Sequence, residues 1–229
     1  MKHVKYLVKE LIYVMKHIII NVGRQLGSGG HDIGRMLALD FGAKYYDREL
    51  LNLAAKESGF SEKFFEQHDE KRGFLKGLFN VQTSHFSGGS MYKTNFSQES
   101  LFQFQSDAII KAAKEGSCVF VGRCADYILR DLPQAVNIFI TADMDFRVAQ
   151  VAKRHGCDND TAMKIINKEE GYRSSYYNYY TGKKWGHSQS YDLCVNSTLL
   201  GLEGTMQLIA LFVRERMAKL AKLGKEAAK

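Results

Sequence analysis

A chain of 229 residues with 45% hydrophobic and 25% charged side chains has the length of one α/β domain with an inserted lid or small subdomain, and enough apolar material for a sizeable core. Its 32 Lys and Arg against 25 Asp and Glu leave a net charge of +7, which suits polyanionic ligands such as nucleotides. The four cysteines form no CxxC pair and no metal-ligand spacing, and no run approaches the length of a membrane span, so reduced thiols, a reducing compartment and no membrane partner are expected.

Residues 1–16 read as an accessory amphipathic helix, with Val4, Leu7, Val8, Leu11 and Ile12 on one stripe. Lys9, Glu10 and Lys16 interrupt any leader-like apolar stretch there, which leaves the cytoplasm as the expected location. "HIIINV" (17–22) reads as the first buried strand. It runs into "GRQLGSGGHDIG" (23–34), which has the glycines of a phosphate loop in a strand–turn–helix setting. Gly27, Gly29 and Gly30 permit left-handed backbone and close approach, so that with Ser28, His31 and Asp32 they can cradle an anion on backbone N–H groups at the start of a helix over 32–41. Gly34 lets that helix pack closely on the sheet. A Walker A loop, G-x-x-x-x-G-K-[ST], carries glycine at its first position and lysine after its last glycine. Here Arg24 stands at the first of these places and Gly30 at the second. Asp32, two places after Gly30, is read as standing in for the hydroxyl residue that would hold magnesium, and a carboxylate can still do so directly or through water. His31 either donates to a phosphate or faces solvent.

"AKYY" (43–46) is the next short strand, followed by Asp47, Arg48 and a helix over 48–57. Residues 70–98 show no steady period and read as a mobile insert, either a lid or plain surface. A helix over 100–115 leads to "CVFVG" (118–122), with Arg123 just beyond the strand. Pro133, the only proline, marks the turn before "VNIFIT" (136–141). Helices over 143–155, carrying Arg154, and 160–180, carrying Arg173, precede "YDLCVN" (191–196) and a last helix over 202–223. Tyr172, Tyr176, Tyr179 and Tyr180 share a helical stripe, which with Trp185 is read as packing rather than base stacking. Five continuously apolar strands alternating with helices predict an α/β fold, doubly wound around a five-stranded parallel sheet with helices in layers on both faces. Ligands in such folds bind beyond the carboxyl ends of the strands.

The stretch "GRQLGSGGHDIGRMLALDFGAKYYDRELLNLAA" resembles the cytidylate-kinase-like proteins, a branch of the nucleoside monophosphate kinases within the P-loop kinases. In that branch the loop reads R-Q-x-G-S-G-G where ordinary cytidylate kinases have G-P-S-G-S-G-K-G-T. "VFVGRCADYIL" (119–129) is similar to their G-R-D segment, with Gly122 and Arg123 matching and Cys124 in place of the aspartate. "KRHG" and "INKEEGYRSSYYNYYTGKKWGHSQSYDLCVNS" resemble the arginine-bearing lid and final strand, and the likeness runs from about 17 to 215.

The resemblance implies a P-loop-kinase-like three-layer fold and transfer of a phosphoryl group from ATP, with Mg2+, to a nucleoside monophosphate such as CMP or a related small acceptor. It implies one kinase-like domain over 17–229, with the insert near 70–98 and a lid near 154–187. Arg123, Arg154 and Arg173 then stand in for the lost lysine, and Asp47, Arg48 and Arg123 hold the acceptor. A lysine restored at position 30 is expected to tighten ATP binding more than it raises turnover. The alternative is a nucleotide-sensing protein that kept the fold and lost catalysis. Nucleic acid is not the expected partner, since only the charge of +7 points to it. The amphipathic ends, 1–16 and 202–223, offer surfaces for a homodimer.

Overall fold

The computed structural model describes residues 17–47 and 91–227, so the helices read at 1–16 and 48–57, Arg48, and the 70–90 part of the insert lie outside the described residues. The chain divides into two compact units, one of residues 1–48 with 112–229 and the other of residues 49–111.

In the second unit the described residues belong to one helix, α2 (Met91–Glu115), whose last turn passes into the first unit. Residues 91–98 of the stretch expected to be irregular are therefore helical. Their sequence, MYKTNFSQ, holds no glycine or proline, so a helix already formed downstream extends through it by adding one bond per residue. Its missing apolar stripe hid that extension.

The first unit is built on five parallel strands: β1 (Ile19–Arg24), β2 (Lys44–Tyr46), β3 (Cys118–Val121), β4 (Ala135–Thr141) and β5 (Leu193–Asn196), in the order β2-β3-β1-β4-β5. Helix α1 (Gly30–Asp40) links β1 to β2 on one side, while β4 runs on to β5 on the other. The chain thus leaves neighbouring strands β1 and β4 in opposite directions, opening the crevice at their carboxyl ends where such folds take ligands.

Alternation decides which side chains meet which helix. Ile20, Val22, Val119, Val121, Val136, Ile138 and Ile140 pack with Ile33 and Leu37 of α1 and with Ile209 and Val213 of α6 (Ser197–Ala227). The opposite face presents Ile19, Cys118, Phe120, Ala135 and Phe139, also buried, and a buried Asn21 whose amide donates to Asn137 Oδ1 at 2.8 Å. With both faces covered, the central strands β1, β3 and β4 are apolar at most positions, whereas Lys44 of β2 and Cys194 of β5, at the two edges, are exposed. Helix α6 is kinked at Gly201, a non-helical residue with positive φ (φ 66°, ψ −179°), so two helical pieces meet there.

Two further helices, α4 (Met144–His155) and α5 (Asn159–Thr181), form a hairpin, and between Cys124 and β4 lies one helical turn, α3 (Ala125–Ile128). Gly156 ends α4 in the left-handed region, and the Asp158 carboxylate caps α5 by accepting the Thr161 N–H at 2.7 Å. Val148, Val151, Ala162 and Ile166 fill the seam. Among the described residues no helix is long and apolar enough to cross a membrane. The four cysteines are free thiols.

Candidate active site

The glycine-rich loop begins where β1 stops. Gln25 continues the strand by donating its N–H to Ile140 O at 3.0 Å, and Ser28 Oγ closes a tight turn onto Gln25 O at 3.0 Å. Three distant side chains then grip the loop. Arg147 of α4 donates from Nε to Leu26 O at 2.8 Å and from Nη2 to Glu170 of α5. Glu170 Oε1 also accepts the Leu26 N–H at 3.0 Å. Ser197 Oγ, at the start of α6, lies 2.8 Å from Ser28 O. Ser28 and Arg147 are buried, so these bonds form out of water, where losing one partner is costly.

The glycines are fixed by packing as well as by φ. Gly27 has φ 82°, and a Cβ there would sit 2.7 Å from Arg147 O; Gly29 has φ 73°, and a Cβ there would sit 2.2 Å from Leu202 Cδ2. Gly27→Ala is therefore expected to cost about 2–4 kcal/mol, from the left-handed backbone and from a clash the Arg147 peptide cannot avoid. Gly42, at φ 58° with nothing within 4 Å of a Cβ, is the control and should lose only the backbone share on substitution by alanine. Denaturant melts of the two variants separate these contributions; equal losses would show that packing on Arg147 does not select the glycine.

Arg24 was no candidate in the sequence, yet its side chain is central. Its Cβ and Cγ lie across Gly30, 2.5 and 2.9 Å from where a Cβ would be, and its Nη1 lies 2.5 Å from a Cβ placed on Gly122. A lysine at position 30 would begin inside the Arg24 stem, so one of the two must shift, which argues against the expectation that this substitution tightens ATP binding. Arg173 joins it from α5, donating from Nη1 to Arg24 O at 3.3 Å. Burial together with the like charges of Arg173 and Arg123 pushes Arg24 down to about 9, while Arg173 is lowered mainly by burial, with Arg147 and Arg123 adding to the effect and Glu169 and Glu170 opposing it.

Arg123 arrives from the end of β3 on a strained turn. Gly122, Arg123 and Cys124 have φ 81°, 61° and 58°, and the last two are the non-glycine residues with positive φ among the described residues. Such conformations cost on the order of 1 kcal/mol or more each and concentrate at functional sites. The guanidinium carbon stands 5.3 Å over the Tyr176 ring. Cys124, in the place of the family's aspartate, is buried and pushed up to about 12, so it is an inert thiol. The acid of this turn is instead Asp126 in α3, raised by burial and accepting the Tyr177 hydroxyl at 2.7 Å. Tyr177, absent from the tyrosine stripe read in the sequence, is the buried one, whereas Tyr172 and Tyr179 are exposed. Trp185 packs edge-on against Phe139, with ring centroids 5.3 Å apart.

On the other side of Arg24, Asp47 follows β2 and meets His31 Nε2 at 3.1 Å. The Asp47 carboxylate offsets part of the positive charge on Arg24, while burial pushes the Tyr45 hydroxyl up to about 12 and keeps it neutral. Asp32 is half exposed and lies 4.0 Å from Arg154, which belongs to the exposed last turn of α4. The amides of Gly30, His31 and Asp32 precede the first intrahelical bond, Ile33 N–H to Gly29 O at 3.0 Å. The described residues thus gather Arg24, Arg123 and Arg173 beside the loop, His31 and Asp47 at one flank, and Asp32 with Arg154 at another. Three guanidiniums pressed together in partial burial suit a polyanion, which would relieve their mutual repulsion.

A profile of the cytidylate kinase-like family matches residues 19–199. A protein named cytidylate kinase from Pyrococcus horikoshii is 26% identical over 194 residues, 84% of this chain and 86% of that protein. Another of that name, from Methanococcus aeolicus, is 28% identical over 103 residues, 44% of this chain and 57% of that protein. The crystal structure of an uncharacterized protein from Eubacterium ventriosum superposes with a TM-score of 0.66 at 28% identity, covering 86% of this chain and 98% of that one.

Proposed function

The chain belongs to the cytidylate kinase-like family, and from that premise we propose that it transfers the γ-phosphoryl group of ATP to a nucleoside monophosphate of the CMP type or a related small acceptor. The observation that carries the reading is the convergence of Arg24, Arg123 and Arg173 beside a glycine loop at the carboxyl end of β1. Phosphoryl transfer asks little covalent chemistry of a protein; it asks for alignment and for cations where charge spreads over the transferred group.

Arg123 and Arg173 neutralise phosphate oxygens in this scheme, and the first-turn amides of α1 hold a second set through the helix dipole. Asp47, oriented by His31, receives the acceptor together with Arg48. Asp32 would hold the metal, and Arg154 stands 4.0 Å from that carboxylate. Magnesium bound with ATP supplies further shielding of the phosphate oxygens. Atoms balance simply: the acceptor oxygen bonds to the γ-phosphorus as the bond from that phosphorus to the bridging oxygen breaks, ADP leaves, and the acceptor proton passes to solvent or a nearby base. Residues 154–187 serve as the lid over these groups, and the reaction belongs in the cytoplasm, where ATP is available and thiols stay reduced.

The test is ADP release from Mg-ATP against CMP, dCMP, UMP, AMP and non-nucleotide alcohols. At least one acceptor is expected to raise ADP release well above the rate with water alone. Saturable nucleotide binding by calorimetry with no acceptor-dependent ADP release would replace the kinase reading with that of a nucleotide sensor.

A further inference from the structure

We propose that Arg24 is the cation that takes over from the missing lysine of the phosphate loop, and that Gly30 and Gly122 are bare so that its side chain can lie where it does. The inference rests on the nucleotide reading for its ligand, the polyphosphate chain.

Two departures from the Walker pattern, taken singly, look like losses. Glycine is replaced by arginine at the first position, Arg24, and lysine by glycine at the seventh, Gly30. In the fold they are one exchange. The last residue of β1 sends its stem across the first residue of α1, where a Cβ would come within 2.5 Å of Arg24 Cβ and 2.9 Å of its Cγ. Neither atom is the far end of a flexible chain, so arginine at 24 requires glycine at 30. The guanidinium then comes to rest on Gly122, where a Cβ would come within 2.5 Å of Nη1 and 3.4 Å of Cζ. A positive charge thus returns to the head of α1 from the opposite end of the loop.

Its surroundings fit a ligand-binding role better than a structural ion pair. Arg173 and Arg123 act on it with like charge, and the Asp47 carboxylate offsets part of that charge. A guanidinium whose task was to knit the fold would not be set beside two others. Burial and that repulsion weaken its hold on its own proton, to about 9, and the opposite charge of a bound polyanion would counter both effects. The planar fork also meets two phosphate oxygens with a fixed bidentate geometry that an ammonium does not impose.

Calorimetry with inorganic tripolyphosphate, on the full chain, tests this apart from any turnover. Arg24→Gln should weaken binding about a hundredfold. Arg24→Lys should recover part of that loss. Gly30→Ala keeps every charge but puts a methyl group into the Arg24 stem, and should weaken binding about tenfold or more. Thermal melts identify the folded variants; if the glutamine variant does not fold, Arg24→Lys and Gly30→Ala carry the comparison. Unchanged tripolyphosphate affinity in the folded variants would overturn the inference, even with ADP release and the kinase reading intact. So would a wild-type chain that does not bind tripolyphosphate. Affinity that falls as described, in a protein that releases no ADP with any acceptor, would uphold the role of Arg24 and defeat the kinase reading.

Discussion

Arg123→Gly is expected to lower phosphoryl transfer by about two to three orders of magnitude while leaving the protein as stable as before, or more so. The two halves have separate causes. Arg123 sits at φ 61°, a conformation glycine adopts freely, so the substitution relieves on the order of 1 kcal/mol of backbone strain. The same change removes one arm of a phosphate clamp, a loss of about 3–4 kcal/mol in the transition state. Arg123→Ala separates them, because alanine at that φ keeps the strain while losing the cation. Turnover should fall equally in both variants, and the glycine variant should melt higher. If the glycine variant retains wild-type turnover, Arg123 is a structural residue and its strained turn serves α3 alone.

The second large effect is on folding. Arg147→Ala is expected to cost about 3–5 kcal/mol, since it strands Glu170 and leaves Leu26 O without its donor. The Arg147 side chain is 3% exposed and that of Glu170 18%, so little water reaches the gap. Replacing both residues with methionine removes the isolated charge but leaves the Leu26 N–H and O without these partners, so it should recover only part of the loss. Denaturant midpoints of the two variants measure the difference. A loss below about 1 kcal/mol for Arg147→Ala would show that the loop holds its shape without this grip.

The sheet was open to reading because burial on both faces writes itself as unbroken apolar runs, and each expected strand lies within about two residues of the observed one. The glycines of the loop were legible for a related reason, since left-handed φ leaves few alternatives. What stayed hidden depends on the third dimension. Arg147, Glu170 and Ser197 reach the loop from 121, 144 and 169 residues away, and no local pattern marks such distances. Arg24 appeared only as a misfit in a motif, because the partner that explains it is an absent side chain at Gly30. One signal was available and went unused. Along α5, Ala162, Ile166, Glu170, Arg173, Tyr177 and Thr181 fall at spacings of three and four, a single inward stripe with two charges at its middle. Charges on such a stripe mark a place where a helix crosses something polar, here the loop.

The grip on the loop also imposes an order of events on the ribosome. Residues 25–28 emerge early, but the hydroxyl that fastens Ser28 belongs to Ser197, 169 residues later. At ordinary rates of synthesis that interval is roughly ten to thirty seconds. Throughout it residues 25–28 have their own short-range bond, Ser28 Oγ to Gln25 O, but not the fastening from Ser197. The full grip on the loop forms only after α4 and α5 have supplied Arg147 and Glu170 and the start of α6 has supplied Ser197, so a product that ends before Ser197 carries the glycines without all three holds.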